Sequence, residues 1–203
     1  MVITDIKQQL RLTDRYSIFI DGRYSLSLSS QKLLELKLFK GQRIDKVQFK
    51  ELKQVAISDK LYGLVLRYCT SRLRSQKEVE LYLERKQIDS KTQTEIIDRL
   101  KKLDFINDVS FAKSWINSRQ QRAFSQRRII QELRQKGVTN EIIASALSIE
   151  DADDSRAIVE VVRKKRQQAK YANDDLRLMR YLAQKGFNYA NIKRAVKGDK
   201  NSD

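Results

Sequence analysis

The chain has 203 residues, 40% of them hydrophobic and 33% charged, with a net charge of +16, six glycines, one cysteine, no proline and no histidine. Without histidine there is no Ser/His/Asp triad, no Cys/His pair and no His-bearing zinc site, and Cys69 alone makes neither an internal disulfide nor a CxxC centre. Absent proline and scarce glycine argue against loop-rich or all-β folds, so the expected class is mainly α.

The N-terminal segment MVITDIKQQLRLTDR alternates apolar with charged residues and lacks the apolar core of a secretory signal. No stretch approaches the ~18 apolar residues of a membrane span, and a lone thiol suits a reducing compartment, so a cytoplasmic protein without a membrane partner is expected. VITDIKQQLRL and RYSIFIDGRYSLSL are rich in strand formers. Asp21-Gly22 between YSIFI and RYSLSL is a two-residue hairpin turn, to which the first segment can add a third strand. Ser29-Ser30 then opens an expected helix, QKLLELKLF, ending at Lys40-Gly41. Residues 1–47 therefore read as a small β-rich subdomain, too small to stand alone and docked on the helices C-terminal to it.

From residue 48 the apolar residues fall at helical spacing, in three units of three helices: 48–108, 109–154 and 155–198. In the first, helices are expected over 48–73, with a break near Ser58, then 76–86 and 91–103, with Ser75-x-x-Glu78 and Ser90-x-x-Gln93 in capping-box form. In the second, Phe111, Ala112, Trp115 and Ile116 form one stripe, Ile129 and Leu133 the next, Gly137 stops the middle helix and Thr139 caps a third through Ile143 and Leu147. The third repeats the order with Ile158, Val161 and Val162, then Leu178 and Leu182, then Ile192 and Val196. Cys69, Phe105, Trp115 and Phe187 read as core residues, whereas Tyr171 and Tyr189, beside cations, are candidates for exposure.

The units share a fifteen-residue pattern: SQKEVELYLERKQID from 75, SQRRIIQELRQKGVT from 125 and DDLRLMRYLAQKGFN from 174. Superposition aligns Val79, Ile129 and Leu178, then Leu83, Leu133 and Leu182, then Lys86, Lys136 and Lys185. A fixed period of this kind marks a repeat architecture. A helix, a Lys-Gly turn and another helix also outline a helix-turn-helix, but the would-be recognition helices SKTQTEIIDRLKK, NEIIASAL and YANIKRAV share no base-reading set. The cations gather elsewhere: Arg119, Arg122, Arg127, Arg128 and Lys136 in the second unit, and Arg163, Lys164, Lys165, Arg166 and Lys185 in the third. Such clusters neutralise phosphates without reading sequence, meet an acidic protein surface, or simply solvate a helical face.

The strings RLRSQKEVELYL, LKKLDFINDVSFAKSWINSR and SQRRIIQELRQKGV resemble the RecX family, regulators of the bacterial RecA recombinase. Phe105-Ile106-Asn107-Asp108 leading into Phe111-Ala112, and Glu132-Leu133 followed by Lys136-Gly137-Val138, carry most of the likeness; the third unit keeps mainly Leu182 to Gly186. The resemblance implies an elongated, curved array of three-helix repeats lying in the groove of a RecA filament on DNA. There it would hinder ATP hydrolysis, strand exchange and filament growth. It implies a non-enzymatic monomer with no cofactor, no metal and no catalytic residue, and with non-specific contact to single- or double-stranded DNA. Gln87 departs from the pattern, standing where the other units have Gly137 and Gly186, which leaves the stop of that helix open. The alternatives are a sequence-independent nucleic-acid-binding repeat protein and a helical scaffold for some other acidic protein.

Overall fold

The structure is a computed structural model that describes residues 1–147 and 154–199. Strands β1 (Ile3–Gln8), β2 (Arg15–Ile20) and β3 (Arg23–Ser29) form an antiparallel sheet in that order. Asp21 and Gly22 both take positive φ, 48° and 79°, the turn geometry whose twist matches that of the strands it joins. Alternation puts Ile18, Ile20, Leu26 and Leu28 on one face, buried with Ile3 and Ile44 against Leu52 and Ala56 of the long helix α2 (Lys46–Thr70).

Helix α1 (Ser30–Glu35) is shorter than its apolar pattern suggests, for it does not continue to Lys40-Gly41. Lys37 turns into the left-handed region at φ 48°, which brings Leu38 back onto the sheet core beside Leu33. The chain then lies along the outer edge of β1, where the Ile3 N–H donates to the Gln42 carbonyl at 2.9 Å and the Gly41 N–H to that of Ile3 at 2.8 Å. Tertiary packing and an edge strand in need of partners thus override local helix propensity.

Helix α2 runs unbroken through Ser58. The next residue, Asp59, is buried, and its carboxylate accepts from the Arg15 guanidinium at 3.1 Å, the Ser29 N–H at 2.8 Å and the Ser29 hydroxyl at 2.6 Å. With every partner present, this buried ion pair fixes the register of the sheet on the helix. Helix α4 (Ser90–Lys102) is capped by Asp89, which accepts from the Thr92 N–H at 3.0 Å, and not by Ser90; Gln93 instead donates to the Ile88 carbonyl. Arg99 of α4 lies 3.9 Å from the centroid of the Tyr62 ring of α2. Cys69 is buried as expected.

Contacts divide the chain into two compact units, Met1–Arg72 with Leu83–Phe105, and Leu73–Tyr82 with the chain from Ile106 onward. Helix α3 (Gln76–Arg85) begins in the second. There α5 (Asp108–Gln121), α6 (Gln126–Gln135) and α7 (Asn140–Ala146) enclose Phe111, Ala112, Ile116, Ile129, Leu133, Val138 and Ile143. Helices α8 (Asp154–Arg166), α10 (Asp175–Gln184) and α11 (Tyr189–Asp199) likewise enclose Ile158, Val162, Leu178, Leu182, Phe187, Ile192 and Val196. An additional turn, α9 (Ala169–Ala172), carries Tyr171 into this core, so Tyr171 is buried while Tyr189 is exposed. Phe105 stands at the surface, contrary to its expected core role, because the left-handed Asp104 ends α4 just before it. Among the described residues no helix is long and apolar enough to cross a membrane.

The repeats join at their middle helices. Ser75 and Ser125 are fully buried. The Ser75 hydroxyl donates to the Lys136 carbonyl at 2.7 Å and accepts from the Glu78 N–H, while the Gln76 N–H donates to Asp108 at 2.8 Å. One period later the Ser125 N–H donates to the Lys185 carbonyl at 3.0 Å, its hydroxyl accepts from the Arg128 N–H, and the Gln126 N–H donates to Asp154 at 2.8 Å. Each joint sets the N-terminus of one middle helix on the C-terminal turn of the next, where the turn's carbonyl accepts from the Ser75 hydroxyl at the first joint and from the Ser125 N–H at the second.

Glycine closes both turns for two reasons. Gly137 and Gly186 have φ of 79° and 92°. A Cβ at Gly137 would lie 2.6 Å from the Cβ of Lys77, and one at Gly186 2.7 Å from the Cβ of Arg128 and from the Ser125 hydroxyl. Gln87 forms the same stop at φ 56°, with the Ile88 N–H bonded to the Leu83 carbonyl as Val138 is to Leu133 and Phe187 to Leu182. Its side chain is exposed, so only the backbone conformation costs stability there. Gly137→Ala and Gly186→Ala should each destabilise by roughly 2–4 kcal/mol, combining left-handed strain with overpacking. Gln87→Gly should instead stabilise by about 0.5–1 kcal/mol. Urea denaturation midpoints measure all three.

Candidate functional site

The ten cations singled out in the sequence fall into three environments. Arg166 is structural: it donates to the carbonyls of Tyr171 and Ala172, both at 3.0 Å, and to Asp175 at 2.6 Å, tying α9 to α10. Arg122, Arg127, Arg163 and Lys164 are exposed. Arg163 makes a solvent-exposed pair with Glu160 one turn away at 3.1 Å, which contributes little and leaves it available. The remaining five, Arg119, Arg128, Lys136, Lys165 and Lys185, are partly buried and lie against aromatic rings.

These rings form a series through the second and third repeats. Trp115 stacks on Phe111 with centroids 5.7 Å apart, and its indole N–H donates to Glu132 at 3.0 Å. Arg119 and Lys136 lie 4.3 and 4.4 Å from the Trp115 ring. Trp115 is therefore only partly buried, its polar edge bonded and its ring covered by cations, and not the closed core residue expected from its stripe. Next, Lys185, Arg128 and Arg119 lie 4.1, 4.8 and 5.3 Å from the Phe124 centroid. Lys165 and Lys185 lie 4.9 and 5.4 Å from Tyr181, whose ring is 5.6 Å from Tyr171, and Lys165 and Lys170 each lie 5.5 Å from Tyr171. Each contact supports its cation by about 0.5–2 kcal/mol, depending on exposure.

Phe124, Tyr181 and Lys170 were not singled out in the sequence, and Glu132 was noted only as part of a family-like motif. Phe124 reaches the series because Ala123, at φ 58°, ends α5 in a left-handed turn and the Phe124 N–H returns to the Arg119 carbonyl. No glycine marks that turn. Glu132 joins the α5 and α6 cations, accepting from Arg119 at 2.6 Å and Arg128 at 3.4 Å.

The two joints differ in charge. At the first, Lys136 pairs with Glu78 at 2.7 Å. Position 128 is the counterpart of 78 one period on, and it holds arginine. Lys185, the counterpart of Lys136, therefore meets the Arg122 carbonyl at 2.8 Å and a set of like charges. Burial, followed by Lys165, Arg128, Arg122 and Arg119, lowers the Lys185 pKa from its usual value. Burial and the neighbouring Tyr171 push that of Tyr181 up.

Comparison with known proteins places these features in a family. The chain matches the N-terminal domain of regulatory protein RecX over residues 1–45, the first RecX three-helix domain over 62–100 and the second over 107–147. It is 30% identical to regulatory protein RecX of Listeria innocua over 204 residues, covering 97% of this chain and 75% of the relative. It is 32% identical to that of Listeria welshimeri over 148 residues, covering 72% of this chain and 55% of the relative. The chain thus spans about half to three quarters of the length of these relatives. Its fold is similar to a crystal structure of regulatory protein RecX, with a TM-score of 0.66 over 96% of this chain and 98% of that one at 23% identity.

Glu132→Gln tests the electrostatics of the ring series. The amide oxygen can still accept from Trp115, but the charge facing Arg119 and Arg128 is gone. Thermal unfolding at low salt should show a loss of about 1–2 kcal/mol. Added salt should narrow the difference by screening the remaining cations.

Proposed function

This chain belongs to the RecX family, and from that premise we propose that it is a non-enzymatic cytoplasmic regulator that binds the RecA filament in its helical groove as a monomer. Bound there, it slows RecA ATP hydrolysis, strand exchange and filament growth. In this reading residues 1–47 form the β-rich entry to three repeats, 48–108, 109–154 and 155–198, and the last two carry the binding surface. The observation that supports it most is the excess of cations on those repeats, with Arg127, Arg163 and Lys164 exposed to solvent beside a series of ring-supported cations. Acidic groups of a protein polymer and phosphates of its DNA are the surfaces such cations meet, and many weak contacts combine over one long interface. Arg166, held by carbonyls and a carboxylate of its own repeat, is left out of this surface.

A second reading, sequence-independent binding to nucleic acid alone, is favoured by the alternation of cations with rings, an arrangement that supports a phosphate backbone without reading bases. It requires tight, steeply salt-dependent binding to DNA with no RecA present.

The test of the first reading is RecA-driven ATP hydrolysis on single-stranded DNA. Reversing Arg127, Arg163 and Lys164 together to glutamate should weaken inhibition about tenfold in apparent affinity, with helical content by circular dichroism unchanged. Reversing Lys50 and Lys53, on α2, should leave inhibition intact. Loss of inhibition from the α2 pair alone would move the interface off the last two repeats.

A further inference from the structure

The two joints are built from equivalent positions of the repeat and differ in charge. At the first, the Glu78 carboxylate neutralises Lys136. At the second, the position of Glu78 is taken by Arg128, so Lys185 stands among cations where its counterpart has an anion. Three of these cations lie within 5.3 Å of the centroid of a single ring, Phe124, and Lys165 joins them across Tyr181. Glu132 is already committed to Arg119 and Arg128. Beside Arg128 and Gly186 the surface opens into a depression of about 460 Å³, bordered also by Arg127, Gln131 and the Glu132 carboxylate.

We propose that the joint between the second and third repeats is a phosphate-binding seat, in which Arg128, Lys165 and Lys185 hold a phosphate group in the role that Glu78 has at the first joint. A phosphate suits this place better than a carboxylate, because it offers more acceptor oxygens and, as a monoester or free ion, up to two charges to these crowded cations. Binding there removes like-charge repulsion across the joint, so the ligand stiffens the coupling of the last two repeats as well as occupying a surface. The phosphate can come from a nucleic-acid backbone or from the free anion. The seat is independent of RecA, and its test contains none.

Thermal unfolding of the full chain is followed in sodium phosphate, in sodium chloride of equal ionic strength, with a short thymidine oligonucleotide, and with a poly-glutamate peptide. Phosphate or the oligonucleotide should raise the melting temperature by about 2–4 °C beyond chloride, as expected for ligand at roughly ten times its Kd. Lys185→Gln, whose amide can still bond the Arg122 carbonyl, should abolish that shift, and Lys136→Gln at the first joint should keep it. Arg128→Glu, which copies residue 78, should also abolish it and should make the protein less sensitive to salt. A shift with the oligonucleotide only identifies the backbone as the source; a shift with both shows that the free anion suffices. No shift beyond chloride, a shift that survives Lys185→Gln, or a shift with poly-glutamate alone overturns the seat.

Discussion

The repeats depend on a short list of bonds at the ends of their middle helices. A helix leaves donors unpaired at its start and acceptors unpaired at its finish. Here the start of one middle helix is set on the finish of the next, with Ser75 on Lys136 and Ser125 on Lys185. The contact is so close that the receiving turn has no room for a Cβ. Much of the remaining design depends on this. The capping serines must be buried, the turn must be left-handed, and the next repeat must open with an aspartate to take the first N–H, as Asp108 and Asp154 do.

A joint whose acceptors are the carbonyls of the helix-ending turn leaves the charged side chains around it open to change. Glu78 and Arg128 stand at equivalent positions, and exchanging one for the other turns a neutralised lysine into a member of a cation cluster. Aromatic rings make the cluster tolerable. Phe124, Tyr181 and Tyr171 offer their faces to these cations, and they shield the chain from the full cost of like-charge crowding. The same feature that is a cost to the isolated molecule becomes a source of affinity when a polyanion or an acidic protein surface supplies the missing charge.

Much of the fold was legible because its signals are local. Asp21-Gly22 gave the hairpin through a dipeptide preference, and Leu83, Leu133 and Leu182 gave the repeat through their spacing; all three leucines are fully buried. What escaped depends on partners distant in sequence. The early end of α1 reflects Leu38 returning to the sheet, and Phe105 and Phe187, both expected in the core, divide because only Phe187 faces one. The site was legible as composition and not as geometry. Runs such as Arg163 to Arg166 look uniform, yet Arg163 is exposed and Arg166 is held in place by two carbonyls and Asp175. The ring-forming role of Phe124 arises from a left-handed alanine that no sequence rule anticipates. The Glu78 to Arg128 exchange, in contrast, is visible once the repeats are superposed, and needs the structure only to show what each residue meets.

Two joints built from equivalent positions and unlike in charge should differ in how readily they open. Native-state hydrogen exchange at the amides of Gln76 and Gln126 measures this directly, since each donates at 2.8 Å to the aspartate that opens the next repeat and is released when its own joint opens. At low ionic strength the Gln126 amide should exchange faster than that of Gln76, and the two should converge as salt screens the cations around Lys185. Equal protection of both amides at every salt concentration, or weaker protection of Gln76, would contradict the role given to charge at the second joint.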